Sequence, residues 1–290
     1  MLAIAGTIPE ENFPLVAGEV RLAKDRIQIG EKRVPVNRGT PALLAAAIKA
    51  GEALGLPPPF GYLVGDIGLG IGSRHLYNHL VKNFPRSHFS LITFHYLQPD
   101  VDWHNKVLFA IEEMSPRPML IADAGFMYAA KMSGQAEAYE LFTPDAGELA
   151  FLADEKAPHP FYTRGFILHD ENCIPDLITR AYNHKNASRY LLIKASRDHV
   201  ASRKGVHALI DSPVDEALEA IGGTGDTLTG IVSALIASGM ETLEAAVLAA
   251  RINRLAGHYA KPGPASQVME MITHIPTAME EVLDKRRKEA

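Results

Sequence analysis

The sequence predicts a three-layer α/β/α sandwich built on a mostly parallel sheet, and three observations lead there. Short apolar runs of strand length recur along the chain, separated mostly by segments long enough for helices. These runs are apolar throughout instead of alternating, as strands covered on both faces require. A glycine-rich turn, Gly222 to Gly225, then opens a helix with a well-defined buried face. In sheets of this type ligands sit beyond the carboxyl ends of the strands, where the loops converge.

The 290 residues, 47% of them hydrophobic, suffice for one α/β domain with a full core over residues 1–290. The first residues carry only a short apolar run and no basic leader, and no stretch approaches the ~20 apolar residues of a membrane span. Cys173 is alone, so a reducing, cytoplasmic setting is expected. The net charge of −5 argues against a nucleic-acid partner, and the cluster Lys285, Arg286, Arg287 and Lys288 reads as a solvated helix end.

Thr40 and Pro41 supply an N-cap and a first-turn proline for a helix through about Leu54, with Leu44 and Ile48 on one face and Gly55 as its stop. Pro57 to Pro59 form a loop. Strands are expected at Tyr62–Val64, Leu91–Phe94, Met119–Ala122, Leu141–Thr143 and Tyr190–Ile193. Leu228, Ile231, Val232, Leu235 and Ile236 recur at helical spacing after the glycine turn.

The segment Ala220-Ile-Gly-Gly-Thr-Gly-Asp-Thr-Leu-Thr-Gly230 carries the strongest chemical signal. Its glycines let the amides of Gly222, Gly223, Thr224 and Gly225 turn toward one point, and the following helix dipole reinforces them, so the loop suits a phosphate. Asp226 at that helix start is placed to take a proton from a substrate hydroxyl; aspartate is also favoured there for capping alone. No Gly-Lys-Ser/Thr follows, so this is not a Walker loop. Lys194 ends an apolar strand, where a lysine either meets an anion or snorkels to solvent.

A second glycine loop, Gly65-Asp-Ile-Gly-Leu-Gly-Ile-Gly72, joins a strand to a helix, and its position makes Asp66, Gly68 and Gly70 candidates for a substrate pocket. Read as a dinucleotide loop it lacks the third glycine at the usual spacing and a clear acidic strand end. His75 and His79 are four apart on a helix but have no evident third ligand, which favours a surface or packing role. Phe60, Tyr62, Phe94, Tyr96 and Trp103 could stack on a ring, although aromatics at strand ends are commonly core, and none is given a role.

Gly-Gly-Thr-Gly-Asp-Thr-Leu-Thr-Gly resembles the anion-hole signature of the ribokinase-like superfamily, and most of all its ATP/ADP-dependent NAD(P)H-hydrate dehydratases. Leu141-Phe-Thr-Pro-Asp-Ala-Gly-Glu148 is similar to that family's Leu-Thr-Pro-His-Pro-Gly-Glu, Tyr190-Leu-Leu-Ile-Lys-Ala195 to its Val-Val-Leu-Lys-Gly, and Ile121-Ala-Asp-Ala124 to its Leu-Asp-Ala-Asp. The likeness covers roughly residues 37–283, leaving 1–36 as an N-terminal extension too short for the epimerase domain often fused in relatives. Asp145 and Ala146 stand where His-Pro is usual, Gly125 replaces the second aspartate, and Ala195 follows Lys194 in place of glycine. The family's Gly-Pro-Gly-Leu-Gly turn falls at His95-Tyr-Leu-Gln-Pro99, without its glycines.

The resemblance implies dehydration of hydrated NADH or NADPH, with ATP or ADP phosphorylating the ring hydroxyl and phosphate then leaving. Asp226 would be the base, Gly222, Gly223, Thr224, Gly225 and Lys194 would hold phosphate, and Glu148 would order magnesium through water. Asp66, Gly68, Gly70, Asp123 and Asp145 would face the substrate. Asp145 and Glu148 also have the spacing of a capping pair at a helix start. A small-alcohol kinase acting on a hydroxymethylpyrimidine, thiazole or sugar, and a non-catalytic nucleotide-binding relative, are the alternatives; an assembly of identical chains is compatible with each.

Overall fold

The computed structural model describes residues 1–156, 173–263 and 265–289. The chain forms two compact units. Unit 1 comprises Met1–Ile4, Val16–Tyr62 and Ile210–Ala290, and unit 2 comprises Ala5–Leu15 and Leu63–Leu209. Strands β1 (Leu2–Ile8) and β5 (Phe60–Gly65) contribute residues to both.

Unit 2 contains the parallel strands β6 (Leu91–His95), β7 (Met119–Ala122), β8 (Leu141–Phe142) and β9 (Tyr190–Ile193), close to the ranges expected from their apolar runs. Their registers pair Phe94 with Ala122, Ala122 with Phe142, and Phe142 with Leu191. Strand β10 (Asp198–Ser202) is antiparallel to β9, and β11 (Gly205–Ile210) lies beside β10. Helices α2 (Ile71–Asn83), α3 (Val101–Glu112), α4 (Ala124–Met132), α5 (Ala146–Ala153) and α6 (Ile174–Asn183) belong to the same unit, with α2 against α3, α3 against α4 and α5 against α6. Phe94 is fully buried and stacks on Phe126 with ring centroids 4.0 Å apart, so it is core.

Unit 1 begins with an antiparallel meander, β2 (Val16–Ala23), β3 (Arg26–Ile29) and β4 (Lys32–Pro35). Residues 1–36, an extension beyond the family likeness, therefore hold four strands. Their helices are α1 (Thr40–Ala53), α7 (Thr224–Ala237), α8 (Thr242–Ala260), α9 (Val268–Thr273) and α10 (Ile275–Glu289). The cap of α1 is Gly39, one residue before the expected Thr40, while Gly55 terminates it at φ +69°. Leu228, Ile231, Val232, Leu235 and Ile236 are all buried on α7, each stabilising by about 1.5–3 kcal/mol relative to exposure.

Helices α1 and α7 pack closely because glycine allows it. A Cβ at Gly230 would lie 2.2 Å from the Leu43 carbonyl oxygen, and one at Gly223 would lie 3.1 Å from the Arg38 Cα. Two successive contacts in the same order along both helices make them run parallel, with their starts together.

Candidate active site

In unit 1, Gly223 takes a left-handed conformation at φ +102° and becomes the N-cap of α7, with no side chain capping the helix. The first-turn amides of α7 are therefore not occupied by a capping side chain, the condition for holding an anion. Asp226 is three residues into the helix, not at its cap, and is buried. Its Oδ2 accepts the Gly39 N–H at 2.6 Å, across 187 residues of sequence. Gly39 provides this at φ 68° and ψ −150°, a conformation that glycine alone adopts readily. The carboxylate thus sits where the starts of α1 and α7 meet.

In unit 2, the parallel registers gather charged residues at one edge. His95 ends β6 and Asp123 follows β7, each one step beyond the pair Phe94–Ala122, and a parallel bridge joins Asp145 to Lys194 after β8 and β9. Lys194 Nζ donates to both oxygens of Asp123, at 2.8 and 3.0 Å, and Asp123 is almost fully buried. Asp123 also caps α4 by accepting the Ala124 N–H at 2.8 Å, and His95 Nε2 lies 3.8 Å from its other oxygen. The lysine that the sequence left between an anion and solvent has a carboxylate for a partner.

Asp145 and Glu148 form a reciprocal capping box at the start of α5: Glu148 N donates to Asp145 at 2.7 Å, and Asp145 N donates to Glu148 Oε2 at 2.8 Å. The Tyr128 hydroxyl donates to the other Glu148 oxygen at 3.2 Å. Burial pushes the Glu148 carboxyl up to about 8, with Lys194 opposing the shift and the charges of Asp123 and Asp145 adding to it. Hard carboxylate oxygens close together suit magnesium, and a Glu148 whose oxygens already accept hydrogen bonds suits contact through water.

Asp66 organises its own loop. Oδ1 accepts from Gly68 N and Gly70 N at 2.9 and 3.0 Å, and Oδ2 from Ser73 N and Ser73 Oγ at 2.8 and 2.7 Å. Burial alone would raise its pKa, but these donors outweigh it and hold the carboxyl below the usual range. The glycines are required: Gly68 and Gly70 have φ of 96° and 77°, and a Cβ at Gly72 would lie 1.8 Å from the Gly65 carbonyl oxygen. The loop instead presents Ile67, Leu69 and Ile71 to solvent.

Sequence reasoning gave no role to His95, Tyr128 or Arg38. In the sequence His95 stands just after the expected strand Leu91–Phe94, as the first residue of the segment matched to the family's glycine turn. Arg38 precedes the Gly39 that binds Asp226, and its Cδ would lie 3.5 Å from a Cβ on Gly222, so an exposed guanidinium flanks the glycine loop. The departure at Gly125 has a physical reason: a Cβ there would be 2.2 Å from the Leu97 carbonyl oxygen, which leaves no room for an aspartate. His75 is exposed and His79 half-buried.

The fold is shared with known structures. The ADP/ATP-dependent NAD(P)H-hydrate dehydratase from Bacillus subtilis, co-crystallised with ATP and magnesium, aligns with a TM-score of 0.56 and 13% identity, covering 97% of this chain and 89% of that one. A ribokinase-like superfamily protein from Enterococcus faecalis aligns with a TM-score of 0.55 and 15% identity, over 97% and 87% of the two chains. The molecule is thus an α/β protein of ribokinase-like fold, as the strand and helix alternation predicted. A profile of carbohydrate-kinase-related proteins described as NAD(P)H-hydrate dehydratase matches residues 98–277, and the chain belongs to this family. An uncharacterised protein of Methanocaldococcus jannaschii is 43% identical over 220 residues, 76% of this chain and 90% of its own. The bifunctional NAD(P)H-hydrate repair enzyme Nnr of Hyperthermus butylicus is 36% identical over 95 residues, 27% of this chain but only 18% of that enzyme. No described helix is long and apolar enough to cross a membrane.

Proposed function

We propose that the protein is an ATP- or ADP-dependent NAD(P)H-hydrate dehydratase acting in the cytoplasm. The observation that carries this reading is Asp226, buried on the first turn of α7 directly after an uncapped glycine loop. Asp226 takes the proton from the ring hydroxyl of hydrated NADH or NADPH as the hydroxyl oxygen attacks the terminal phosphorus of the nucleotide, whose bond to the bridging oxygen breaks to release the nucleotide one phosphate shorter. Departure of phosphate from the ring, with loss of a proton from the adjacent ring carbon to water, then restores the dihydronicotinamide.

The amides of Gly222, Gly223, Thr224 and Gly225 receive the transferring phosphoryl group, with the Arg38 guanidinium at the loop's edge. Lys194 contributes a further positive charge that Asp123 orients. Glu148 would hold magnesium through water, and magnesium would supply charge neutralisation for the phosphates. Asp123 and Asp145 face the substrate, while Gly68 and Gly70 offer it a loop whose shape Asp66 maintains.

The test is to incubate the protein with ATP or ADP, magnesium and hydrated NADH while following NADH absorbance. Its return, and its dependence on Asp226, support the reading; no return with either nucleotide overturns it. A small-alcohol kinase is the second reading, favoured by Asp145-Ala146 in place of His-Pro, and it is distinguished by a stable phosphate ester as product.

A further inference from the structure

Tyr96 joins properties seldom found in one residue. It follows His95 at the carboxyl end of β6, its backbone has φ +54°, and it is 48% exposed. A left-handed conformation is an outlier for a bulky side chain. The turn is fastened by Thr7, whose hydroxyl donates to the Tyr96 carbonyl at 2.8 Å. The ring packs edge-on against the His95 imidazole, with centroids 4.2 Å apart and planes at 65°.

The neighbouring strand repeats the device. Ala124, with φ +50°, follows Asp123, and the β6–β7 register sets the two turns side by side. The glycine loop after β5 adjoins the same turn: the Gln98 N–H donates to Ser73 Oγ at 3.1 Å, and a Cβ on Gly70 would lie 3.6 Å from the Gln98 side chain. Its Leu69 and Ile71 are 63% and 58% exposed.

A glycine at position 96 would relieve the backbone. Strain of this kind persists where it aims a side chain at a ligand. An exposed phenol ring recognises a flat, uncharged aromatic face. We propose that Tyr96 is the platform of a stacking subsite for the planar heteroaromatic ring of a nucleotide or dinucleotide. This deepens the dehydratase reading, whose substrates carry two such rings, nicotinamide and adenine.

Calorimetric titration of the intact protein with nicotinamide mononucleotide, AMP and ribose 5-phosphate tests it. Tyr96→Ala should weaken one ring-bearing ligand by about 5- to 100-fold and leave ribose 5-phosphate unchanged. Tyr96→Phe should stay within about twofold of wild type. Tyr96→Gly should lose the ring ligand as Tyr96→Ala does, yet melt a few degrees above Tyr96→Ala, because glycine accepts the left-handed turn. Wild-type binding of neither ring, unchanged binding of both in Tyr96→Ala, equal weakening of ribose 5-phosphate, or a Tyr96→Gly midpoint no higher than that of Tyr96→Ala would each overturn the platform. Ring binding that depends on Tyr96 in a protein without hydrate turnover would retire the dehydratase reading and keep the platform; turnover with unaltered ring binding in Tyr96→Ala would do the reverse.

Discussion

Asp226 supplies the only carboxylate at the start of α7, between amides that the proposed reaction uses for phosphate. In that proposal its charge serves proton removal but repels the anion beside it. Asp226→Asn should therefore lower turnover by about 10²- to 10⁴-fold, while calorimetry finds ADP bound as tightly as by wild type or tighter. Near wild-type turnover would remove the base assignment. In the second charged group, Asp123→Asn removes the carboxylate that Lys194 pairs with in the interior, and urea denaturation should show a loss of about 3 kcal/mol. Pairing it with Lys194→Met should cost less than the two single changes summed. The glycine loop and Asp226 were legible because their chemistry is contiguous in sequence. The Asp123–Lys194 pair joins residues 71 apart, and only strand register brings them together. The ionic partner of Lys194 was accordingly beyond a reading of local pattern.

Among the elements, the parallel strands of unit 2 announced themselves as apolar runs, whereas β2 did not. Its burial alternates between exposed and half-buried positions around a single fully buried Val20, so it lacks the hydrophobic contrast that marks a strand. The β6–β7 turns give two tests of backbone fit. Gly125→Ala places a methyl group against the Leu97 carbonyl and should destabilise by about 2 kcal/mol, whereas Ala124→Gly should stabilise by about 0.4–1 kcal/mol, both read as urea midpoints. Helix α3 carries a titration switch of stability. His104 is fully buried between Tyr139 and Ser133, and burial pushes its pKa down to about 4 from an ordinary 6.5. As pH falls the unfolded chain takes this proton first, so the contribution is complete at neutral pH and is lost between about 6.5 and 4, up to about 3 kcal/mol. His104→Asn should flatten that part of the stability profile measured by urea melts at stepped pH.

At the scale of the whole molecule, residues 1–36 are integral to the units and not an appendage. Val20, Ile27, Ile29 and Val34 are buried members of the core, and the N-terminal half of β1 belongs to unit 1 with the helices. Deleting residues 1–36 should yield protein that is insoluble or lacks a cooperative thermal transition; a variant melting like wild type would contradict this. Unit 1 is drawn from three separated stretches, the last running from Ile210 to Ala290. A ribosome delivers that stretch after all of unit 2 has been made. Asp123, Glu148 and Lys194 are thus translated before Asp226, and under the proposed reaction a nascent chain stalled ahead of α7 would lack the base.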